Sequence, residues 1–310
     1  MEDADGPRNR SYTADKMSRR NFMSRIMCLA LLLVFAAEAF AEEEILIGLI
    51  PEENIFTQMD RHRPLAAYLT KKLGTRIRFT ILSRYGDVLD RFMSRKMDGA
   101  FFGVFTSVLA MEQLDAEPIV HPVNLDGASA VQSYIFVRKD SNIQGVQDMK
   151  GKRIAFVDKA TVTGYLYALS FFRERGVQDI NSYFRDVSFT GNHGSTIYAV
   201  LDGRADVGTA KSKIFQQLVK KDYSIKEELV ILAKSREFPD ATLFLRKDLP
   251  PARRQQIRDI LLGMDKDAEG REALKRLESM MFVEAKKDDF RPFFEISRKA
   301  GIAVKTYKYK

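Results

Sequence analysis

Two hydroxyl side chains and a glycine stand where a predicted strand meets a predicted helix. Thr161, Thr163 and Gly164 follow the apolar run 154–157 and open the stretch 165–172, in which apolar residues recur at helical spacing. A helix N-terminus offers unpaired N–H donors and a partial positive charge, so these groups could converge on an oxyanion without a dedicated arginine. An ordinary helix N-cap is the alternative interpretation of the same segment.

Other loops that follow predicted strands also carry hydrogen-bonding side chains. In open α/β sheets the ligand crevice lies outside the carboxyl ends of the strands, so such loops are the places to search for a site. They are residues 51–54, 83–85, 102–107, 190–195 and 209–213.

The sequence gives little support to catalysis. The three histidines, His62, His121 and His193, are too far apart for a zinc motif, and Glu52 and Glu53 form a carboxylate pair that we expect to be solvated. No metal or cofactor is therefore expected, although enzymes can be built on the same architecture.

An export signal is predicted at the N-terminus. Residues 17–22 read Met-Ser-Arg-Arg-Asn-Phe, the apolar run 26–37 follows, and Ala-Phe-Ala at 39–41 precedes Glu42. The run is too short to span a bilayer, so we expect residues 1–41 to be a cleaved signal peptide. The paired arginines fit either the general secretory or the twin-arginine route, and Met17 is an alternative start.

The charge balance favours an anionic small ligand. The chain has 50 basic and 42 acidic residues, a formal net charge of +8 that is spread along the sequence rather than blocked. This spread does not indicate a nucleic-acid-binding surface. The single cysteine, Cys28, lies in the predicted signal, so a packed core rather than a disulfide must stabilise residues 42–310.

Two blocks of alternating strands and helices predict two α/β lobes, each with a parallel sheet covered by helices. The first block is strand 45–50, helix 60–73, strand 76–82, helix 85–96 and strand 100–102. The second is strand 153–157, helix 164–174, strand 187–189, helix 195–201, strand 207–209 and helix 212–219.

Strand-like segments bracket the second block. Residues 132–137 and 229–233 are interpreted as two crossings of one hinge, and 241–245 would return the chain to the first sheet. The rest is expected to be helical, including 253–264 and 272–280. The predicted first lobe is residues 42–133 with 234–310, and the predicted second lobe is residues 134–233. Two lobes joined by two strands suggest a cleft that closes by hinge motion around a small ligand.

Five segments resemble the phosphate-, phosphite- and phosphonate-binding solute receptors of ABC importers. They are Pro-Leu-Ala-Ala-Tyr-Leu at 64–69, Asp-Gly-Ala-Phe-Phe-Gly at 98–103, Asp-Met-Lys-Gly-Lys at 148–152, the threonine segment at 158–166 and Phe-Thr-Gly-Asn-His at 189–193. The resemblance runs from about residue 45 to 249. It implies an α/β, two-lobed periplasmic binding protein of type II with a two-strand hinge. It also implies a monomer that partners an inner-membrane permease and needs no cofactor.

The resemblance also implies a set of ligand-binding residues. Thr161, Val162 and Thr163 would hold the oxyanion through backbone N–H groups and two hydroxyls. His193 would donate from the opposite side of the same lobe, and Tyr85 would reach in from the first lobe. Tyr85 at a helix start and His193 in a turn also have purely structural interpretations.

Three further positions depart from the pattern of the family members that bind aminoalkylphosphonates. Phe102 stands where they have a tyrosine, Lys213 where they have a glutamate for the ligand's ammonium group, and Asp240 is one position from their second acid. A phosphorus oxyanion without an amine is therefore the expected ligand. For Lys211 and Lys213 a solvated face is the alternative interpretation.

A sensory receptor that signals to a membrane kinase is the alternative function, and an enzyme on the same fold is the third.

Overall fold

The computed structural model describes residues 44–307, and the predicted signal peptide lies outside them. The strands are β1 (Glu44–Leu49), β2 (Arg76–Ile81), β3 (Gly99–Phe102), β4 (Pro118–Asn124), β5 (Ala130–Val131), β6 (Ser133–Arg138), β7 (Arg153–Phe156), β8 (Asp186–Phe189), β9 (Val207–Lys211), β10 (Leu229–Lys234), β11 (Phe238–Pro239), β12 (Thr242–Leu245) and β13 (Ser279–Glu284). The helices are α1 (Ile55–Leu73), α2 (Tyr85–Met93), α3 (Val104–Leu114), α4 (Tyr167–Arg173), α5 (Ile180–Tyr183), α6 (His193–Leu201), α7 (Ser212–Lys221), α8 (Ser224–Glu228), α9 (Pro251–Leu262), α10 (Ala268–Arg276) and α11 (Arg291–Lys299). A π-helical turn, Val162–Leu166, precedes α4.

The first lobe is built on a six-stranded sheet of order β13-β4-β12-β3-β1-β2. Strands β1, β2 and β3 pair in parallel, as the first block predicts. Strand β12 pairs antiparallel with β3 and β4, and β13 pairs antiparallel with β4, so the sheet is mixed rather than wholly parallel. Strand β12 confirms the predicted return of the chain to this sheet.

The prediction that the C-terminal region is entirely helical is wrong. Helix α10 ends at Arg276, and Glu278 adopts a left-handed backbone conformation with φ of 53° that stops helical propagation. Residues 279–284 then form β13, in which Phe282 lies opposite Pro122 of β4. Neither the edge strand β13 nor its neighbour β4 was predicted from the sequence.

The second lobe is built on a five-stranded sheet of order β10-β6-β9-β7-β8. Strands β7, β8 and β9 are parallel as predicted, whereas β6 runs antiparallel to β9 and β10. The predicted hinge strands therefore lie inside this sheet and pair with each other. The crossings themselves are residues 125–132 and 235–241, joined where β5 pairs antiparallel with β11.

Successive side chains along a strand point to opposite faces of the sheet and pack in separate apolar clusters. On β1, Ile45 and Ile47 pack in a cluster with Leu65 and Leu69 of α1, while Leu46 packs on the opposite cluster. Each fully buried side chain of this size contributes roughly 1.5–3 kcal/mol to stability.

One apolar cluster contains residues of both lobes. Phe102 and Phe105 of the first lobe belong to the same cluster as Val162 and Leu166, at the start of the helix that follows β7. The start of that helix therefore packs in a core that the two lobes share. Within residues 44–307, no helix combines the length and apolar character needed to cross a membrane.

Candidate functional site

The loop after β7 turns its backbone sharply before the helix begins. The Asp158 carbonyl accepts the N–H of Thr161 at 3.1 Å and the Thr161 hydroxyl at 2.7 Å, and the Asp158 carboxylate accepts the N–H of Ala160 at 2.7 Å. The helix starts at Val162 with a π turn, two residues earlier than predicted. Its first N–H groups have no intrahelical acceptor and are free for a ligand.

Two hydroxyls of the second sheet fix the carbonyl side of this turn. The Ser133 hydroxyl donates to the Thr163 carbonyl at 2.6 Å, and the Thr209 hydroxyl donates to the Gly164 carbonyl at 2.5 Å. A Cβ on Gly164 would lie 2.4 Å from the Cβ of Val157, so only glycine fits there. The carbonyl groups of Thr163 and Gly164 are thus hydrogen-bonded within the protein, whereas the N–H groups of the turn remain available to a ligand.

His193 is a neutral hydrogen-bond donor at the start of α6. Its Nδ1 accepts the backbone N–H of Lys211 at 3.1 Å, so the ring proton resides on Nε2. Burial, reinforced by the charge of Lys211, holds the pKa of His193 well below its usual range. The backbone N–H of His193 donates to the Glu52 carbonyl of the first lobe at 3.1 Å.

Tyr85 brings a second donor from the first lobe. It begins α2, is 2% exposed, and its hydroxyl has no hydrogen-bond partner among residues 44–307. Burial raises the pKa of Tyr85 well above its usual value, and the charges of Glu52 and Asp158 add to that effect. The hydroxyl therefore keeps its proton. Its ring meets that of His193 edge-on at 6.2 Å.

These groups line one small cavity between the lobes. It measures about 20 Å³ as space open to the centre of a water-sized sphere. The polar lining is Glu52, Tyr85, Thr161, Thr163, His193 and Lys211. The apolar lining includes Ile50, Val104, Val131, Val162, Pro239 and Ala241. Five of the eight predicted ligand-binding residues, Tyr85, Thr161, Val162, Thr163 and His193, are thus brought together.

Phe102 lies elsewhere. It is fully buried in the first lobe, where its ring packs edge-on against Phe92 at 5.3 Å and tilted against Phe244 at 5.6 Å. It is absent from the cavity lining because, at the end of β3, it faces the helices that cover the sheet. The geometry therefore gives the predicted ligand contact of Phe102 no support.

A buried charge cluster closes one side of the cavity. Lys211 Nζ lies 2.9 Å from Asp240 Oδ1 and also binds Glu52, and Lys213 Nζ lies 2.7 Å from Asp240 Oδ2. Burial alone would raise the pKa of Asp240, but the two ammonium groups outweigh it and hold that pKa below its usual range. Both Lys211 and Asp240 are therefore charged. The interpretation of Lys211 as a solvated lysine is wrong, because its side chain is 5% exposed.

Lys213 and Asp240 line a second cavity beside the first. This space measures about 50 Å³ by the same criterion, and its walls include Leu65, Phe101 and Phe282. It shares Ile50, Glu52 and Ala241 with the first cavity. Lys213 and Asp240, which were predicted to contact the ligand, thus line the second cavity and not the first.

The expectation that Glu52 and Glu53 are solvated and unpaired is wrong. Glu52 binds Lys211, and Glu53 is 6% exposed and lies 2.5 Å from Arg61. Sequence reasoning also missed Lys211 as a residue of the cavity wall. The only signal for it was its position at the carboxyl end of a strand.

Residues 47–290 match the family described as the phosphonate periplasmic substrate-binding protein of ABC transporters. The chain belongs to this family. It is 33% identical over 183 residues to the phosphate-import protein PhnD of Mycolicibacterium smegmatis. That alignment covers 56% of this chain and 56% of the relative, so the chain matches about half of the relative's length.

Two further likenesses span more of the chain. The probable ABC transporter phosphite-binding protein PhnD1 of Prochlorococcus marinus is 22% identical over 86% of this chain and 93% of its own length. The solved structure of PhnD1 from Prochlorococcus marinus in complex with methylphosphonate superimposes with a TM-score of 0.75 and 21% identity, covering 84% of this chain and all of that one. The family members form the periplasmic substrate-binding component of an ABC transporter, and the type II two-lobed fold predicted from the sequence is confirmed.

Proposed function

We propose that this protein captures a compact phosphorus oxyanion in the periplasm and delivers it to the permease of an ABC importer. The ligand classes are phosphate, phosphite and phosphonates without an amine. The proposal is supported by relatives that import phosphate or bind phosphite, and by the likeness to a methylphosphonate complex.

The observation that carries the proposal is the convergence of donors on one small buried space. Tyr85, His193 and the turn at Val162 all line the same cavity, and they carry the Tyr85 hydroxyl, the Nε2–H of His193 and the N–H groups of the turn as donors. Donors fixed around a concave site suit an oxyanion, because each anion oxygen then exchanges water for a hydrogen bond that is already oriented. The small volume favours a single tetrahedral group.

Binding rather than catalysis is inferred from the same groups. The Nδ1 of His193 is already occupied by a backbone N–H, which leaves this ring no second site for a relayed proton. Hydrolysis of a phosphorus ester by the purified protein would contradict this inference.

We further propose that residues 1–41 form a signal peptide, so that the exported protein begins at Glu42. We also propose that the exported protein acts as a monomer. Residues 42–133 with 234–310 would move as one lobe, and residues 134–233 as the other. Strand β6 begins at Ser133, within one residue of that boundary. N-terminal sequencing of the exported protein, and its mass in solution, test the first two statements.

Calorimetry with phosphate, phosphite and methylphosphonate tests the ligand class. Tyr85→Phe removes one donor from the cavity and leaves an anion oxygen unpaired, so we expect roughly a tenfold to hundredfold weaker binding of the preferred ligand. Tyr183→Phe is the matched control, because the Tyr183 hydroxyl donates to the Val146 carbonyl outside the cavity. Equal affinities of wild type and Tyr85→Phe would remove Tyr85 from the site, and no binding of any of the three anions would refute the proposed ligand class.

A further inference from the structure

Two carboxylates converge on a single ammonium group at the wall of the anion cavity. Glu52 follows β1 of the first lobe, and Asp240 precedes β12, where the chain returns from the second lobe. Both bind Lys211 at the end of β9. A buried carboxylate, Asp240, beside the partly buried carboxylate of Glu52 is an arrangement that binds a cation, and here a lysine of the chain itself occupies it.

The Lys211 ammonium retains one N–H donor. An ammonium group has three donors, and Glu52 and Asp240 account for two. No other acceptor for Lys211 Nζ is found among residues 44–307, and Lys211 lines the cavity that Tyr85 and His193 also line. The third donor is therefore available to a bound anion.

The charges within the cluster balance before any ligand is considered. Lys211 and Lys213 carry two positive charges, and Glu52 and Asp240 carry two negative ones. Lys213 lines the second cavity, and its ammonium group pairs with Oδ2 of Asp240. Lys211 is thus the lysine of the cluster that a ligand in the first cavity would meet.

We propose that Lys211 is a specificity-determining residue, which donates to the bound oxyanion and fills the carboxylate pair that an ammonium-bearing ligand would need. This inference rests on the proposed function, because it names the class of phosphorus oxyanion that the same site takes. That class is phosphate, phosphite and phosphonates with a small uncharged substituent. A 2-aminoethylphosphonate ligand would bring a second ammonium toward Lys211, and like charges in a buried site repel.

The test compares methylphosphonate and 2-aminoethylphosphonate by calorimetry. We expect wild type to bind methylphosphonate at least tenfold more tightly. Lys211→Met removes the donor and leaves Glu52 and Oδ1 of Asp240 without their partner, while Oδ2 of Asp240 keeps Lys213. Methylphosphonate should therefore bind roughly tenfold to hundredfold more weakly. The preference between the two ligands should also shift at least tenfold toward the amine.

Two matched variants separate charge from local geometry. The double variant Lys211→Met with Glu52→Gln should lose methylphosphonate affinity without gaining affinity for the amine, because it keeps only the Asp240–Lys213 pair. Lys220→Met removes an exposed positive charge of α7 outside the cluster and should change neither ligand's affinity.

The outcomes distinguish this inference from the proposed function. If wild type binds no phosphorus oxyanion, both are refuted. If wild type binds them and Lys211→Met keeps the same preference, the specificity role of Lys211 alone is overturned. Should thermal melting show that Lys211→Met does not fold, the double variant decides, and an unchanged methylphosphonate affinity there overturns the inference.

Discussion

The individual residues of the site are donors whose protonation is fixed by burial. His193 is neutral and Tyr85 is protonated, because a low-dielectric environment disfavours the charged form of each. Neither group should titrate near neutral pH. Stability, in contrast, should depend on pH, because a buried neutral histidine takes up a proton more readily when the chain unfolds.

His62 gives a measurable case of this dependence. Burial, helped by the charge of Arg61, lowers the pKa of His62 to about 4, while its value in the unfolded chain is 6.5. The unfolded state therefore binds more protons between these values, and the stability that His62 contributes above pH 6.5 is lost as the pH falls toward 4. At about 1.4 kcal/mol per pKa unit, the loss is about 3 kcal/mol.

Denaturant unfolding at several pH values checks this expectation. Between pH 6.5 and 4, wild type should lose about 3 kcal/mol more unfolding free energy than His62→Gln, which does not titrate there. Because the two proteins have the same carboxylates, subtracting one pH profile of unfolding free energy from the other removes the contribution of carboxylate titration. Parallel pH profiles would show that His62 ionises in the folded protein as it does in the unfolded chain.

Some residues of the candidate site could be predicted from the sequence and others could not. Thr161, Thr163 and His193 stand in strand-to-loop segments whose local pattern already indicates where the backbone turns. Lys211 and Glu52 interact across 159 residues of sequence, and no local pattern carries the information that they meet. The burial of Phe102 away from the cavity could not be predicted for a related reason, since strand position alone does not reveal which face of β3 is covered.

Among the elements, the π turn that precedes α4 positions the N–H groups proposed to bind the ligand. A methyl group on Gly164 would overlap Val157, so Gly164→Ala must push the turn away from β7. We expect this overpacking to cost about 1–3 kcal/mol of unfolding free energy. The displaced N–H groups should also weaken oxyanion binding, which calorimetry measures.

Gly145→Ala is the matched control for that substitution. An added Cβ there meets only the end of the Gln147 side chain at 3.4 Å, and the backbone is not left-handed. Stability and affinity should both stay near those of wild type. If Gly164→Ala also leaves both unchanged, the close approach of the turn to β7 is not required for stability or for oxyanion binding.

The elements themselves were predictable where the pattern was local. The parallel strands of both blocks follow from alternating apolar runs and helices. Helix α1 starts at Ile55, five residues earlier than predicted, because the Asn54 side chain accepts the N–H groups of Phe56 and Thr57. Strand β13 depends on pairing with β4, more than 150 residues earlier in the chain, which local periodicity cannot show.

For the whole molecule, the contacts between lobes predict a change of shape on binding. Arg61 of α1 donates to Gln217 of α7 at 3.1 Å, and Lys211 binds Glu52, so both sides of the cleft are joined through polar contacts. A ligand that touches Tyr85 and His193 at once stabilises this arrangement, and small-angle scattering should show a smaller radius of gyration with saturating methylphosphonate. Sodium chloride of equal ionic strength is the control. Superimposable scattering curves with and without ligand would argue against hinge motion.

The bond between Lys211 and Glu52 also has a kinetic consequence. It joins the two lobes across the cavity that holds the anion-binding donors. If an anion leaves by separation of the lobes, these two charges must separate first, and an ion pair with little access to solvent separates rarely because each charge then loses its partner. The residence time of the ligand is then set by how often the lobes part as much as by the strength with which the anion is held. A transport partner that pulls Glu52 away from Lys211 would release the cargo without touching it.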